Sequence, residues 1–201
     1  MGNNRYQVSC GRAQLLAEIT LFTGLFCAMP SAPAAGTAPT QDTQGQSAKA
    51  FVQGFYDWYT AAIQKDDNSA MDGALKSKRW PFSLKLVAAL KADEAAQAKS
   101  ADEVVGLDFD PYLNAQDTCF PYKTGKAGMS GNQYRVEVFD SHCDNSHPEI
   151  PTVIAVIEKD GDSWRFVNFI YPGEPGQVDS DLLTVLKTLK QEREHPDENL
   201  D

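Results

Sequence analysis

Three features of the sequence predict an α+β domain in which N-terminal helices pack on a curved antiparallel β-sheet and a C-terminal helix follows. Aromatic residues recur at helical spacing from Phe51 to Tyr59, the hydrophobic period changes to two beyond Leu107, and a leucine-rich helical run comes near the end. A helix with so wide a ring-bearing face must lie against something large and apolar, and the strands that come later in the chain supply it. A sheet curled around that helix makes a cone-shaped body.

Phe51, Phe55, Trp58, Tyr59, Ala62 and Ile63 fall on steps of three and four and predict a helix from about Ser47 to Lys65. A short second helix is expected from Ser69 to Lys78, stopped at Trp80-Pro81 because proline cannot continue it. A third spans Ser83 to Lys99, with Leu86, Val87 and Leu90 facing inward. Gln133 to Asp140 alternates Tyr134, Val136 and Val138 against Arg135, Glu137 and Phe139, as a strand covered on one face should. Thr152 to Lys159 and Ser163 to Tyr171 read as two more strands, joined in a hairpin around Asp160-Gly161. The Lys- and Gly-rich segment between Tyr122 and Gln133 reads as a mobile connection. The last helix, about Asp179 to Glu192, is capped by Asp179 or Ser180 and carries Leu182, Leu183, Val185, Leu186 and Leu189.

The single α+β domain is expected to occupy residues 47–192. Before it, Arg5 and Arg12 precede an apolar stretch, Ile19 to Met29, and the small-residue run Ser31 to Ala35, which is the layout of a secretory signal peptide cut after Ala34. Residues 35–46 then form a polar, disordered linker and 193–201 an acidic tail. Export places the protein in the periplasm or outside the cell. A lipid anchor at Cys27 is the weaker alternative, since Phe26 is bulkier than lipoprotein processing favours. Loss of the first 34 residues leaves Cys119 and Cys143, which should pair in an oxidising compartment. The loop so closed is worth about 3 kcal/mol in the chain-entropy account.

Eighteen basic against twenty-eight acidic side chains give a formal charge of -10. That leaves no electrostatic footprint for nucleic acid. No apolar run reaches the roughly 20 residues of a confident membrane span, so no transmembrane span is expected in the mature chain. Asp108, Asp110 and Asp117 could offer hard oxygen ligands, but the segment lacks the glycine and closing glutamate of a calcium loop. Asp110 before Pro111 is equally a turn or helix cap. His142, Cys143 and His147 match no common zinc spacing. Gly128-Met129-Ser130-Gly131 is not a nucleophile elbow, and Gly125-Lys126 lacks the rest of a phosphate loop. No metal or cofactor is predicted.

Three blocks carry a family resemblance: Phe51-Val52-Gln53-Gly54-Phe55-Tyr56-Asp57-Trp58-Tyr59, then Gly106-Leu107-Asp108-Phe109-Asp110-Pro111-Tyr112-Leu113-Asn114-Ala115-Gln116-Asp117, then Trp164-Arg165-Phe166-Val167-Asn168-Phe169-Ile170-Tyr171. They resemble the bacterial family of unknown function 3828, over roughly Ser47 to Leu189. The resemblance implies an exported or lipid-anchored protein of nuclear-transport-factor-2-like, cone-shaped fold, and it implies no catalytic residue.

In a fold of that kind a cavity between the long helix and the sheet is expected to have Tyr56, Asp57, Tyr59 and Asp108 as its orienting polar groups. Two function classes follow. The first is a non-catalytic binding or interaction domain of the envelope, meeting a small apolar ligand or another protein. One version is an antagonist or immunity-type partner whose acidic surface steers toward a basic target. The alternative is a small isomerase or dehydratase acting on an apolar carbonyl compound, with Asp57 or Asp108 as base and Tyr56 steadying the enolate. A buried carboxylate at the bottom of a deep pocket, with a strongly raised pKa, favours the enzyme, whereas a filled cone with a broad apolar patch outside favours the interaction protein.

Overall fold

The computed structural model describes residues 41–65, 69–100, 103–141, 149–174 and 176–195. The expected signal peptide, Cys27, residues 35–40 of the linker, His142, Cys143, His147 and residues 196–201 lie outside them. The described elements are α1 (Gln41–Ile63), α2 (Ala70–Lys76), α3 (Leu84–Gln97), β1 (Lys123–Ser130), β2 (Gln133–Phe139), β3 (Val153–Asp160), β4 (Ser163–Tyr171), β5 (Ser180–Asp181) and α4 (Leu182–Glu194). The strands form one antiparallel sheet in the order β1-β2-β3-β4-β5. The α+β class is therefore as expected.

Helix α1 buries Ala48, Val52, Phe55, Tyr56 and Tyr59, with Phe51, Trp58, Ala62 and Ile63 packed at the margins. The buried face is turned toward Val52 and Tyr56 compared with the expected one. The helix also begins six residues early, at Gln41 rather than Ser47. Its polar first turns carry no apolar period, and the sheet holds them instead. The Tyr134 hydroxyl donates to Gln44 Oε1 at 3.3 Å and the Trp164 indole N–H to Ser47 Oγ at 3.0 Å. Tertiary contact here overrides what the linker composition suggests. Gly54 lets Trp80 cross α1 closely, since a Cβ at that position would lie 2.7 Å from the indole.

The inner face of the sheet presents Tyr134, Val136 and Val138 from β2, Val153, Ala155 and Ile157 from β3, and Trp164, Phe166, Phe169 and Tyr171 from β4. Alternation along β4 is interrupted by a bulge opposite Val156 and Ile157. The bulge turns Phe166 and Phe169 both inward and leaves Asn168 free to reach the last helix. Asn168 Nδ2 donates to Asp181 Oδ1 at 2.7 Å, and Asn168 Oδ1 accepts from the Leu183 N–H at 3.2 Å. Asp181, rather than Asp179 or Ser180, caps α4, accepting from the Thr184 N–H at 3.1 Å. The helix runs on to Glu194, so Arg193 and Glu194 belong to it and not to a tail.

The segment expected as a mobile connection is strand β1, joined to β2 through Gly131-Asn132 with Gly131 at φ 64. It shows no apolar alternation because it is the edge of the sheet and mostly exposed. Its ladder is bulged between Thr124 and Ala127. Two of its N–H groups bond side chains of neighbouring elements: Thr124 to Gln53 Oε1 at 2.8 Å and Lys126 to Glu137 Oε2 at 3.0 Å. On the other side of the sheet, β4 is covered by β5 and by residues 81–83. Phe166 N–H bonds Pro81 O at 2.9 Å and Ser83 N–H bonds Phe166 O at 2.7 Å.

Helices α3 and α4 lie side by side and run in the same direction, α4 packing on β4. Near their C-terminal ends Arg193 Nη1 meets Asp93 Oδ1 at 2.7 Å, and Asp93 is only 5% exposed. The same guanidinium donates to Val105 O, Asp93 Oδ2 accepts the Leu107 N–H at 2.8 Å, and Gln97 Oε1 accepts from Val105 N and Gly106 N at 2.8 and 3.0 Å. One buried pair thus fastens α3, α4 and the strap between residues 103 and 107. Asp93→Ala leaves the guanidinium without its counter-ion and should lower the unfolding free energy by about 3 kcal/mol in urea titration.

Candidate functional site

Between Leu107 and Tyr122 the chain passes through the interior as irregular backbone, and Pro111, Tyr112 and Leu113 are buried. Buried peptide groups need partners. Asp110 Oδ1 accepts from the Tyr112 and Leu113 N–H groups at 2.9 and 3.1 Å, which bears out the capping reading of this residue. Its Oδ2 accepts from the Tyr59 hydroxyl at 2.7 Å. The carbonyls are served by tyrosines from α1, from β4 and from the residue just before β1. Tyr171 donates to Pro111 O at 2.8 Å, Tyr56 to Tyr112 O at 2.7 Å and Tyr122 to Leu113 O at 3.5 Å. Asn114 closes the turn at φ 52, in the left-handed region that asparagine tolerates.

Burial pushes the Asp110 carboxyl above its ordinary value, and the Tyr59 hydroxyl and the two amides pull the other way without cancelling it. Burial, followed by the nearby Asp110 charge, drives the Tyr56 and Tyr59 hydroxyls far up, so both stay protonated donors.

Of the four residues expected to orient a ligand, Tyr56 and Tyr59 come together in the interior with their hydroxyls engaged. Asp57 does not join them. It is exposed on the other side of α1, accepting from Gln53 Nε2 at 2.8 Å and facing Lys123 Nζ at 4.0 Å. Asp108 is exposed as well, its carboxylate 3.5 Å from Gln116 Nε2. The carboxylate that does meet the tyrosines, Asp110, was legible as a cap and not as their partner.

Tyr112 packs among the aromatic rings of the interior. Its ring stands 5.3 Å from Tyr59, 5.4 Å from Phe82 and 5.3 Å from Phe169, while Phe55 and Phe166 approach each other to 4.8 Å. Asp110, with three donors on two oxygens and rings around it, fixes the turn. The Tyr112 hydroxyl and the Trp80 indole N–H are buried without a hydrogen-bond partner among the described residues.

Open space lies on the outside instead. A groove of about 570 Å³ runs between α3 and α4, walled by Ala88, Ala89 and Ala92 on one side and Leu183 and Leu186 on the other. Lys85, Lys187 and Lys190 also line it. A shallower recess of about 440 Å³ adjoins it over the outer face of the sheet, where Arg135 and Glu158 are found. The groove escapes a reading of the sequence because its walls come from distant parts of the chain. The usable signal was small residues and lysines, in place of large apolar ones, on the outer side of α3. Comparison with protein-family models, with curated proteins and with solved structures finds no match to this chain.

The buried Asp110 anchor makes stability depend on pH. Because the folded Asp110 holds its proton more tightly than the unfolded chain does, its contribution to stability falls as pH rises from the ordinary carboxylate value through the raised one. Tyr59→Phe removes a hydrogen bond that favours the charged form, so the raised value climbs further and this window widens. The substitution should cost about 1–3 kcal/mol at pH 7 and distinctly less at pH 4, measured by denaturant unfolding at both.

Proposed function

We propose that the protein is an exported, non-catalytic binding domain of the bacterial envelope, related to the family of unknown function 3828, that meets its ligand or partner on the outer surface. The observation that supports this most is the bonding of Asp110, whose two carboxylate oxygens accept from the Tyr59 hydroxyl and from the Tyr112 and Leu113 N–H groups. A base must reach the proton it abstracts, and Asp110 lies behind its own donors. Asp57 and Asp108, the bases an isomerase or dehydratase reading calls for, are exposed and away from Tyr56. The groove between α3 and α4 has the size of a small-molecule site and apolar walls.

Export carries with it the Cys119–Cys143 crosslink. Support comes from the backbone: the Ser141 N–H donates to Cys119 O at 3.3 Å, which holds the chain two positions before Cys143 against Cys119. Cys143 itself lies outside the described residues.

Recovery of the tagged protein from envelope extract tests the reading. A bound species retained by the wild type and lost by Ala92→Trp, which fills the groove, is the expected outcome. Turnover of an apolar ketone that disappears in Asp110→Asn would overturn it. For the crosslink, Cys119→Ser should lower the unfolding free energy by about 3 kcal/mol without reductant, and reductant should lower the wild type alone. Equal stability of the two proteins in non-reducing buffer refutes the bond.

A further inference from the structure

The α3–α4 groove has a chemistry of its own, which deepens the binding-domain reading and rests on it. Its lining is apolar where Ala88, Ala89 and Ala92 of α3 stand opposite Leu183 and Leu186 of α4. Lysines stand on both walls: Lys85 on α3, Lys187 and Lys190 on α4, all exposed. Lys190 faces Glu194 at 3.7 Å, whereas no carboxylate is paired with Lys85 or Lys187 among the described residues. The carboxylate that lines the groove, Asp181, is engaged by Asn168 and Thr184, and Arg193 at the far end is engaged by Asp93. On a chain of formal charge -10, the groove is thus a local reversal of sign.

The geometry points to a binding site for a single-chain anionic amphiphile, an aliphatic carboxylate whose chain lies between the alanines and the leucines and whose head is met by Lys85 and Lys187. The groove volume of about 570 Å³ falls within the roughly 300–1,000 Å³ of small-molecule sites. Charge complementarity selects the anion. The surrounding net negative charge disfavours an acidic polypeptide or an anionic membrane, which would bring many charges against it, and tolerates a ligand that carries one.

Titration of the full chain with dodecanoate below its micelle concentration, followed by calorimetry and by amide chemical shifts, tests the site. One-to-one binding is expected, with shifts confined to 85–92 and 183–190. Lys85→Glu and Lys187→Glu, both exposed and remote from the core, should each weaken binding by roughly fivefold, and Ala92→Trp should remove it. Dodecyltrimethylammonium, with the same chain and the opposite charge, should bind more weakly by at least as much. Absence of dodecanoate binding, equal binding of the cationic or a neutral dodecyl amphiphile, or indifference to the lysine substitutions overturns the ligand class. Any of these leaves the binding-domain reading standing, because that reading is judged separately by what Ala92→Trp loses from envelope extract.

Discussion

Irregular backbone buried between a helix and a sheet is the constraint around which this molecule is arranged. Pro111, Tyr112 and Leu113 carry amides and carbonyls into an aromatic interior, where an unpaired peptide group costs a large fraction of the stability of a domain. The partners come from α1, from the approach to β1 and from β4, in the form of Tyr56, Tyr122 and Tyr171, with Asp110 closing the turn from within and the Tyr59 hydroxyl held on its carboxylate. The tyrosines of α1 therefore do two things at once. Their rings fill the core and their hydroxyls terminate the hydrogen-bonding of a loop that has no sheet to join. A cluster that reads as a catalytic constellation by composition is, in its bonding, a fastening.

The alternation of Tyr134, Val136 and Val138 and the Asp160-Gly161 hairpin were legible in the sequence because each is a local rule of backbone geometry, whereas the second helix ends at Lys76, ahead of the stop expected at Trp80-Pro81, because Ser77 is already extended. Strand β1 was not, since an edge strand facing water has no apolar period to display. Gly131-Asn132, a two-residue hairpin signal, was the one trace of it. The pairing of Tyr56 with Asp57 failed for a different reason. Neighbours in sequence stand on different faces of a helix, so Tyr56 turns inward while Asp57 turns out. Asp110 reaches Tyr59 only through the fold.

The outer layer obeys a separate logic. A bulge in β4 frees Asn168 to seat the start of α4, and the Asp93–Arg193 pair fastens its end. Between these two fixed points α3 sets alanines, in place of large side chains, opposite Leu183 and Leu186 of α4. The helices are held at their ends and left unfilled along the middle. Rigid support under an open surface is the arrangement that lets a site be precise without being buried.

The treatment of β1 has a consequence for life in a crowded compartment. An open sheet offers its outermost strand as a template for another chain. Here a bulge interrupts the strand, and the exposed Lys123 and Lys126 set cations along it. Bulges and lysines of this kind are the devices by which sheet edges discourage the addition of a further strand.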